Sequence, residues 1–302
     1  MEFITAYSLP SISAISIKLL MFWYGRKTIR GANSTLWMLL GGLLGVNIAE
    51  LILFGYAGDS NNPGALVTLT MYYVFVVISG TGFVLFSLQL ADFSTPLIKR
   101  IITVAAIVTI FVTLIPGAGL AGAKSIGYSV TRVAGPYYWI LQINIIGFLL
   151  ASISLLIYTV KKGNVWIKRR RATAMLIGSL PTTVATIAIV TLMQLGFKIN
   201  ATVISSLTFN ILLAVLIYTE YEYRLFRFLS FIPSTSEFKL TNYAIKAAHR
   251  ARSNNLREAI DYFERALIND TLVKCGGNKT ATAEALGVSR ATLRRKLGDP
   301  DS

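Results

Sequence analysis

The stretch that decides the organisation of this chain lies near its end and reads Gly276-Gly277-Asn278-Lys279-Thr280-Ala281-Thr282-Ala283-Glu284-Ala285-Leu286-Gly287-Val288-Ser289-Arg290-Ala291-Thr292-Leu293-Arg294-Arg295-Lys296-Leu297. Glycine reaches positive φ without a Cβ clash, so the Gly276-Gly277 pair predicts the end of a preceding helix. Asn278 and Ser289 are residue types that cap helix N-termini, and Gly287 between them favours a tight turn. The pattern therefore predicts two short helices joined by a turn, which is a helix-turn-helix unit.

The second predicted helix of this unit has its charges on one face. Arg290, Arg294 and Arg295 recur at i, i+4 and i+5, whereas Leu293 and Leu297 fall on the opposite face. A helix with a cationic, exposed face and an apolar, buried face is suited to the major groove of DNA. The alternative is an ordinary basic helical hairpin.

Residues 256–297 resemble the Fis-type DNA-binding domain, which also closes the enhancer-binding activators of nitrogen-regulation type. The similarity rests on Gly-Gly-Asn followed by Leu-Gly-x-x-Arg-x-Thr-Leu-x-x-Lys-Leu. It implies double-stranded DNA as a partner and a homodimer whose two recognition helices lie about one helical turn apart. In that family the preceding helix helps to form the dimer, and the resemblance implies the same for the helix that begins near Leu256.

The resemblance also assigns candidate DNA-binding residues. The positions expected to approach the groove are Ser289, Arg290, Thr292, Arg294 and Arg295. Asn278 and Thr280 are expected to hold phosphate through side chains and backbone N–H groups, and Lys296 is a further phosphate candidate. Nucleoid Fis has a basic residue where this chain has Ala281, so one phosphate contact is expected to be missing.

The rest of the chain has the composition of a membrane protein. Hydrophobic residues make up 54% and charged residues 14% of the sequence, and the mean hydropathy is +0.60. Soluble domains carry nearer a quarter of charged residues. Apolar runs long enough, or nearly so, for a bilayer lie at about 4–24, 34–56, 66–90, 101–115, 137–160, 172–197 and 203–218. We predict an all-α fold: a seven-transmembrane helical bundle followed by a small cytoplasmic helix-turn-helix domain.

The distribution of lysine and arginine predicts the orientation of the bundle. The first, third and fifth connections hold eleven lysines and arginines, whereas the opposite side holds three. Basic loops stay in the cytoplasm. The N-terminus is therefore expected outside and the C-terminus inside, in a bacterial cytoplasmic membrane. The net charge of +15 also suits an anionic partner, whether nucleic acid or lipid.

The bundle resembles in layout the seven-span sensor regions at the N-termini of some bacterial histidine kinases. The likeness rests on the number of spans, the topology and the segment Gly135-Pro136-Tyr137-Tyr138-Trp139. It implies sensing of an external or membrane-soluble signal. The expected domains are a sensor over 1–232, a basic linker helix over 233–254 and the DNA-binding domain over 255–302.

Polar side chains inside the apolar runs are candidates for a ligand pocket, because they are costly in hydrocarbon. They are Asn47, Glu50, Gln142, Asn144, Gln194 and Asn210. The alternative is that they form hydrogen bonds that hold the helices together. Lys18 is expected to extend its amine to the cytoplasmic membrane surface.

Several functional classes lack their motifs. The sequence contains no phosphate-binding loop, and its single histidine, His249, has no acidic neighbour of the kind usual at a phosphorylated kinase histidine. The run 203–218 has no lysine that would hold retinal. We predict no enzymatic activity, no cofactor and no metal site. The predicted function is a one-component membrane-bound transcription regulator with an unknown small-molecule or membrane signal. The alternatives are a transporter or channel with a regulatory DNA-binding tail, and a membrane anchor for DNA.

Overall fold

The computed structural model describes residues 8–25, 34–127, 129–163, 165–195, 201–223 and 256–297, together with the single residues 197 and 243. The chain divides into two compact units, Met1–Leu229 and Ser230–Ser302. The first unit contains the apolar runs and the second contains the stretch 276–297. The basic linker helix expected over 233–254 lies outside the described residues, apart from Tyr243.

The described residues of the first unit include seven apolar helices. They are α1 (Leu9–Gly25), α2 (Ser34–Gly55), α3 (Pro63–Leu90), α4 (Pro96–Leu114), α5 (Tyr138–Lys162), α6 (Trp166–Gln194) and α7 (Ala201–Tyr223). Local sequence sets some of these bounds: Asn62 accepts a hydrogen bond from the Gly64 N–H at 2.9 Å, and proline follows as the first residue of α3. Each predicted apolar run coincides with one helix, so the all-α class is confirmed.

Helix α6 begins earlier than the sequence indicated. The predicted start at 172 is wrong, because the basic residues from Lys168 to Arg171 already belong to the helix. Lysine and arginine have helix propensities close to that of alanine. In addition, the Arg170 guanidinium carbon lies 5.5 Å from the ring centre of Trp166 one turn earlier, which favours the helical conformation.

The surface of the first unit is that of a membrane protein. Helices α2 to α6 are long and apolar enough to cross a bilayer, whereas α1 and α7 carry shorter apolar stretches, Leu9–Trp23 and Ser206–Thr219. Helix α4 exposes an apolar stripe at helical spacing, which includes Leu97 (68% exposed), Ile101 (59%) and Phe111 (64%). An exposed apolar stripe of this size is stable only against lipid or another apolar surface.

A β-hairpin joins α4 and α5, and the predicted all-α fold did not include it. Strands β1 (Leu120–Ser125) and β2 (Val130–Ala134) pair antiparallel, and Ala123 lies opposite Arg132. The Ser125 hydroxyl donates a hydrogen bond to the Ala57 carbonyl oxygen at 2.5 Å, which ties the hairpin to the loop between α2 and α3. The β-branched residues Val130, Thr131 and Val133 near Gly127 are the local signal for this hairpin.

Helices α2 and α3 approach each other at the backbone. A Cβ added at Gly42 would lie 2.6 Å from the Ser79 nitrogen, and one at Gly82 would lie 2.5 Å from the Leu39 nitrogen. At Gly45 it would lie 2.4 Å from the Phe75 ring, whereas Gly41 has no neighbour closer than 3.6 Å. Small residues permit this approach, as in other membrane helix pairs.

The first unit has two apolar cores. One contains the ends of α2 and α6 around Leu36, Leu40 and Met175. The other contains Leu53 and Tyr72 together with hairpin residues Leu120 and Val130. The region where these cores meet encloses the cavity described below.

The second unit contains helices α8 (Leu256–Lys274), α9 (Lys279–Leu286) and α10 (Arg290–Leu297). Ile268, Ala283 and Leu293, one from each helix, form its core, with Leu286 and Leu297 packed against it. The predicted inward side of the last helix is therefore confirmed.

Candidate functional sites

A cavity of about 130 Å³ lies among α2, α3, α5, α6 and α7, and it is partly open to the outside. Most of its walls are aliphatic and aromatic, for example Leu43, Ile145 and Val190. Its polar groups are hydroxyls, the Asn144 amide and the Arg132 guanidinium. An apolar cavity with a few polar groups has the composition of a small-molecule site.

Arg132 reaches the cavity from strand β2. Its Nη1 donates a hydrogen bond to the Tyr73 hydroxyl oxygen at 3.3 Å, and its guanidinium carbon lies 4.5 Å from the ring centre of Tyr138. The rings of Tyr73 and Tyr138 pack edge to face with centres 6.3 Å apart. Two aromatic side chains thus hold the cation in place at the end of the cavity near the hairpin.

Two buried polar side chains line the cavity on other helices. Asn144 on α5 is 8% exposed and Thr182 on α6 is 6% exposed, and both line the cavity. The Asn144 Oδ1 and Thr182 Oγ1 atoms have no hydrogen-bond partner among the described residues. Buried polar atoms usually have partners, so both positions favour a polar atom of water or ligand in the cavity.

A second group of polar residues forms a buried polar cluster, which consists of Ser11, Lys18, Asn47, Glu50 and Ser206. All five are at most 1% exposed. The Ser11 hydroxyl donates to Glu50 Oε2 at 2.7 Å, and the Ser206 hydroxyl donates to the same oxygen. Asn47 Nδ2 donates to Ser206 Oγ at 2.8 Å. The cluster therefore connects α1, α2 and α7.

The placement of Lys18 differs from the prediction. Its amine donates to Asn47 Oδ1 and to the Leu43 carbonyl oxygen, and the side chain is 0% exposed. The prediction that this amine extends to the membrane surface is therefore wrong. The physical reason is that acceptors on α2 satisfy the ammonium inside the bundle.

The polar residues predicted for a pocket take different positions. Asn144 lines the cavity, whereas Asn47 and Glu50 belong to the buried polar cluster. Asn210 Nδ2 donates to the Pro10 carbonyl oxygen at 2.9 Å, which connects α7 with α1. Gln142 is half-buried on α5 outside the cavity lining, and the side chain of Gln194 lies outside the described residues. The contacts of Asn47, Glu50 and Asn210 are those of the interhelical alternative.

The turns of the second unit have the predicted chemistry. Gly276, Gly277 and Gly287 have φ of 60°, 81° and 65°, respectively. The Asn278 Oδ1 accepts hydrogen bonds from the N–H groups of Thr280 and Ala281 at 3.0 and 3.2 Å, so this residue caps α9. Ser289 Oγ accepts from the Thr292 N–H at 3.1 Å and caps α10. The predicted caps and turn are confirmed.

The candidate DNA-binding residues lie on helices α9 and α10 or at their N-terminal caps. Asn278, Thr280, Ser289, Arg290, Arg294 and Arg295 are exposed, and Thr292 is half-buried. Lys296 forms an ion pair with Glu264 of α8, so its amine also has a partner within the unit. The exposed face of α10 is cationic, as expected for a helix that enters a DNA groove.

Comparisons with known families agree with these two sites. The family described as "N-terminal 7TM region of histidine kinase" matches residues 9–229, which is more than two thirds of the chain. The chain belongs to this family. The family described as "Bacterial regulatory protein, Fis family" matches residues 259–299. Searches of curated proteins and of solved structures gave no match.

The two family matches establish the general character of the chain. It is a membrane protein that carries the 7TM region of that family, and its described residues include five helices that are long and apolar enough to cross a membrane. It also carries a Fis-family domain, which is a non-enzymatic DNA-binding domain. Both resemblances predicted from the sequence are confirmed. Among the residues that the structure describes, no three or more His, Cys, Asp or Glu side chains form a group that could hold a metal ion.

The sequence analysis missed three residues of these sites. Arg132 was counted only as a loop charge, although a β-branched strand positions it at the cavity. Ser11 and Ser206 were missed because serine is common in membrane helices and gives no periodic signal of its own. Only the folded packing of α1 against α7 brings these two hydroxyls within 3.2 Å of each other.

Proposed function

We propose that the protein is a one-component, membrane-bound transcription regulator that couples a signal sensed by the bundle to sequence-specific DNA binding. The observation that carries this proposal is the presence of a seven-span sensor region and a Fis-family DNA-binding domain in one chain. A regulator that contains both parts needs no separate protein to carry the signal to DNA.

The proposed topology has seven spans, with the N-terminus outside and the C-terminus in the cytoplasm of a bacterium. The excess of basic residues in the first, third and fifth connections supports this orientation. An odd number of spans then brings the DNA-binding domain to the side of the chromosome. A reporter fused after Ser302 tests the topology, because a periplasmic signal from that reporter would contradict it.

Helix α7 is the proposed connection between signal and DNA. Phe209 and Leu212 of this helix line the cavity, and Ser206 belongs to the buried polar cluster. The same helix is the last described element before the second unit. A ligand that binds one arrangement of α7 more tightly than another shifts the population of the two arrangements.

We propose that the active form is a homodimer. Ile260, Phe263 and Leu267 recur at i, i+3 and i+7 on α8, while Ile268 fills the core of the unit. Ile260 remains 50% exposed, which supports a second apolar contact along this stripe. Two copies would place two α10 helices on neighbouring turns of DNA.

The proposed DNA contacts divide into two groups. Ser289, Arg290, Thr292, Arg294 and Arg295 read the groove, and Asn278, Thr280 and Lys296 contact phosphate. Exposure of the three arginines supports the first group. The exposure of Asn278 and Thr280 at the N-terminal end of α9 supports the second.

Genome-wide mapping of bound DNA tests the proposed function. The comparison is between wild type and Arg290→Ala combined with Arg294→Ala, with Arg265→Ala on the exposed side of α8 as the control. A regulator gives a small number of strong sites that disappear in the double variant and persist in the control. Diffuse, salt-sensitive binding that only weakens would instead identify a membrane anchor for DNA.

A transporter is the second candidate, and the buried polar cluster is the observation that favours it. Lys18 and Glu50 are ionisable groups inside a membrane bundle, and such groups often mark ion or proton pathways. Uptake of candidate ions and labelled solutes into proteoliposomes distinguishes the two functions. Saturable uptake that Glu50→Gln abolishes would support transport, whereas a sensor gives no uptake above empty liposomes.

We also propose that the chain has no enzymatic activity and that signalling proceeds without phosphotransfer. The single histidine, His249, lies in Ala-Ala-His-Arg-Ala-Arg without an acidic neighbour. Incubation of the purified protein with labelled ATP tests this, because incorporation of phosphate into wild type but not into His249→Ala would overturn the proposal.

A further inference from the structure

We propose that the cavity binds an anionic amphiphile, with its head group at Arg132 and its apolar body among α3, α5, α6 and α7. This inference rests on the proposed sensor function, and it names the chemical class of the signal. Ligands of this class have an anionic, oxygen-rich head group and an acyl-like chain. Its source is either a free carboxylate or an anionic membrane lipid.

The charge of Arg132 is the first argument. The side chain is half-buried, and among the residues that the structure describes no carboxylate pairs with it or lines the cavity. A partly buried guanidinium without a counter-ion is unfavourable until an anion neutralises it. The cavity therefore selects an anionic head group over a neutral or cationic one.

The hydrogen-bonding capacity of Arg132 and Tyr73 is the second argument. Among the described residues, Arg132 donates from Nη1 to the Tyr73 hydroxyl and to the Met193 sulfur. A guanidinium has five N–H donors, so Nη2 and Nε can still bind two oxygens side by side. The Tyr73 hydroxyl accepts from Arg132 and therefore lies beside the position of the anion.

The apolar walls of the cavity are the third argument. Val76, Ile145, Leu149 and Val190 face it from three helices, and a chain of methylene groups would fill such a space better than water does. Asn144 and Thr182 add buried, unpartnered polar atoms along the wall. They identify the cavity as a built site that also accommodates a polar atom on the body of the ligand.

Photoaffinity labelling tests the proposal on the full chain in nanodiscs of phosphatidylcholine, a zwitterionic lipid. The probe is dodecanoate that carries a diazirine, and mass spectrometry locates the labelled residues. Saturable labelling near Ile145 and Phe209 is expected. Unlabelled dodecanoate should compete, whereas methyl dodecanoate and dodecylamine should compete at least about tenfold more weakly, because they lack the anionic head.

Arg132→Met is the informative variant and Lys124→Met is its matched control. Both remove one positive charge from the same hairpin, but Lys124 is exposed and outside the cavity lining. Arg132→Met should weaken labelling by about tenfold or more, and Lys124→Met by less than about twofold, since its charge is screened by solvent. Equal effects of the two variants would overturn the proposal.

A second labelling experiment, in nanodiscs of a different lipid composition, identifies the source of the ligand. Nanodiscs that contain phosphatidylglycerol present an anionic lipid at high concentration. Loss of dodecanoate labelling in these nanodiscs assigns the site to a membrane lipid, and unchanged labelling assigns it to a free amphiphile. Equal competition by dodecylamine, or labelling only at the lipid-facing surface, would overturn the proposal.

Two controls keep the test independent of folding and of the proposed function. Head-group competition in wild type needs no variant, so it remains informative if Arg132→Met fails to fold. The labelling experiment does not involve DNA. If labelling fails while genome-wide mapping still finds strong, Arg290-dependent sites, the proposed ligand class is wrong and the proposed regulator function stands.

Discussion

The helix-turn-helix unit and the bundle depend on contacts of different range along the chain. In the unit, Asn278 caps helix α9 through N–H groups two and three residues later. In the bundle, Ser11 contacts Ser206 across 195 residues, and Asn210 contacts Pro10 across 200. Short-range contacts leave a pattern in the sequence, whereas long-range contacts arise only when helices pack. The two regions should therefore respond differently to mutation.

The largest effect is expected for Asn47→Leu in the buried polar cluster. This change removes one of the two acceptors of the Lys18 amine and the donor to Ser206. Each buried polar group that loses its hydrogen-bond partner costs about 1–3 kcal/mol of stability, and this change affects two such groups. Denaturation in detergent followed by tryptophan fluorescence measures this, because all four tryptophans lie in the first unit.

Ile48→Leu is the control for this change, since Ile48 is the next residue and is 44% exposed. It should alter the free energy of unfolding by no more than about 0.5 kcal/mol. If Asn47→Leu were as stable as wild type, long-range hydrogen bonds would not be what holds α1, α2 and α7 together.

Gly42→Ala should give the next largest loss of stability. The added Cβ would lie 2.6 Å from the Ser79 nitrogen and 2.8 Å from its Cα, and backbone atoms cannot move aside independently. Overpacking of this kind costs about 1–3 kcal/mol. The same tryptophan-detected denaturation measures it.

Gly41→Ala is the matched comparison, because its Cβ would meet nothing closer than Phe22 at 3.6 Å. Alanine is preferred over glycine in a helix by about 1 kcal/mol, so this neighbour should stabilise slightly. The two adjacent substitutions should thus have opposite signs. Effects of the same sign would contradict the close contact between α2 and α3.

Asn278→Ala should destabilise helix α9 by about 1 kcal/mol, because two backbone N–H groups lose their acceptor. Hydrogen exchange of the α9 amides in the full chain measures this effect. Asn278→Asp keeps the acceptor, so the α9 amides of this variant should exchange as slowly as those of the wild type. A larger loss of stability for Asn278→Ala than for Asn47→Leu would contradict the expectation that long-range contacts in the bundle contribute more than short-range contacts in the helix-turn-helix unit.

The smallest effect is expected for the ion pair between Lys296 and Glu264, whose side chains are 34% and 38% exposed. Solvent screens such a pair, so either Lys296→Met or Glu264→Gln should change stability by less than about 1 kcal/mol. Hydrogen exchange of α10 measures this. DNA affinity separates the roles: a phosphate contact predicts weaker binding for Lys296→Met but not for Glu264→Gln.

Much of the fold could be predicted, because its signals are local or periodic. The apolar runs predicted all seven helices of the first unit, and Asn278, Gly287 and Ser289 predicted the caps and turn of the second. The start of α6 was missed because lysine and arginine support a helix and also mark a membrane boundary. Hydropathy detects only the boundary.

The candidate cavity was much harder to predict. Six polar residues were proposed for a pocket, and five of them have described side chains. Of those five, only Asn144 lines the cavity. Composition identifies a costly polar group inside a span, but the partner of that group depends on which helix lies beside it. Lys18 shows the same limit: its nearest acceptors are on another helix. Arg132 was overlooked because the β-branched residues beside it, Val130, Thr131 and Val133, were not interpreted as a strand.

The backbone contact between α2 and α3 has a mechanical consequence. With Gly42 against Ser79 and Gly82 against Leu39, neither helix can slide or rotate past the other without a collision. They form a fixed wall on one side of the cavity. If the cavity expands when a molecule enters it, the movement must then occur in the other helices that line it. These include α7, which is the helix nearest in sequence to the helix-turn-helix unit.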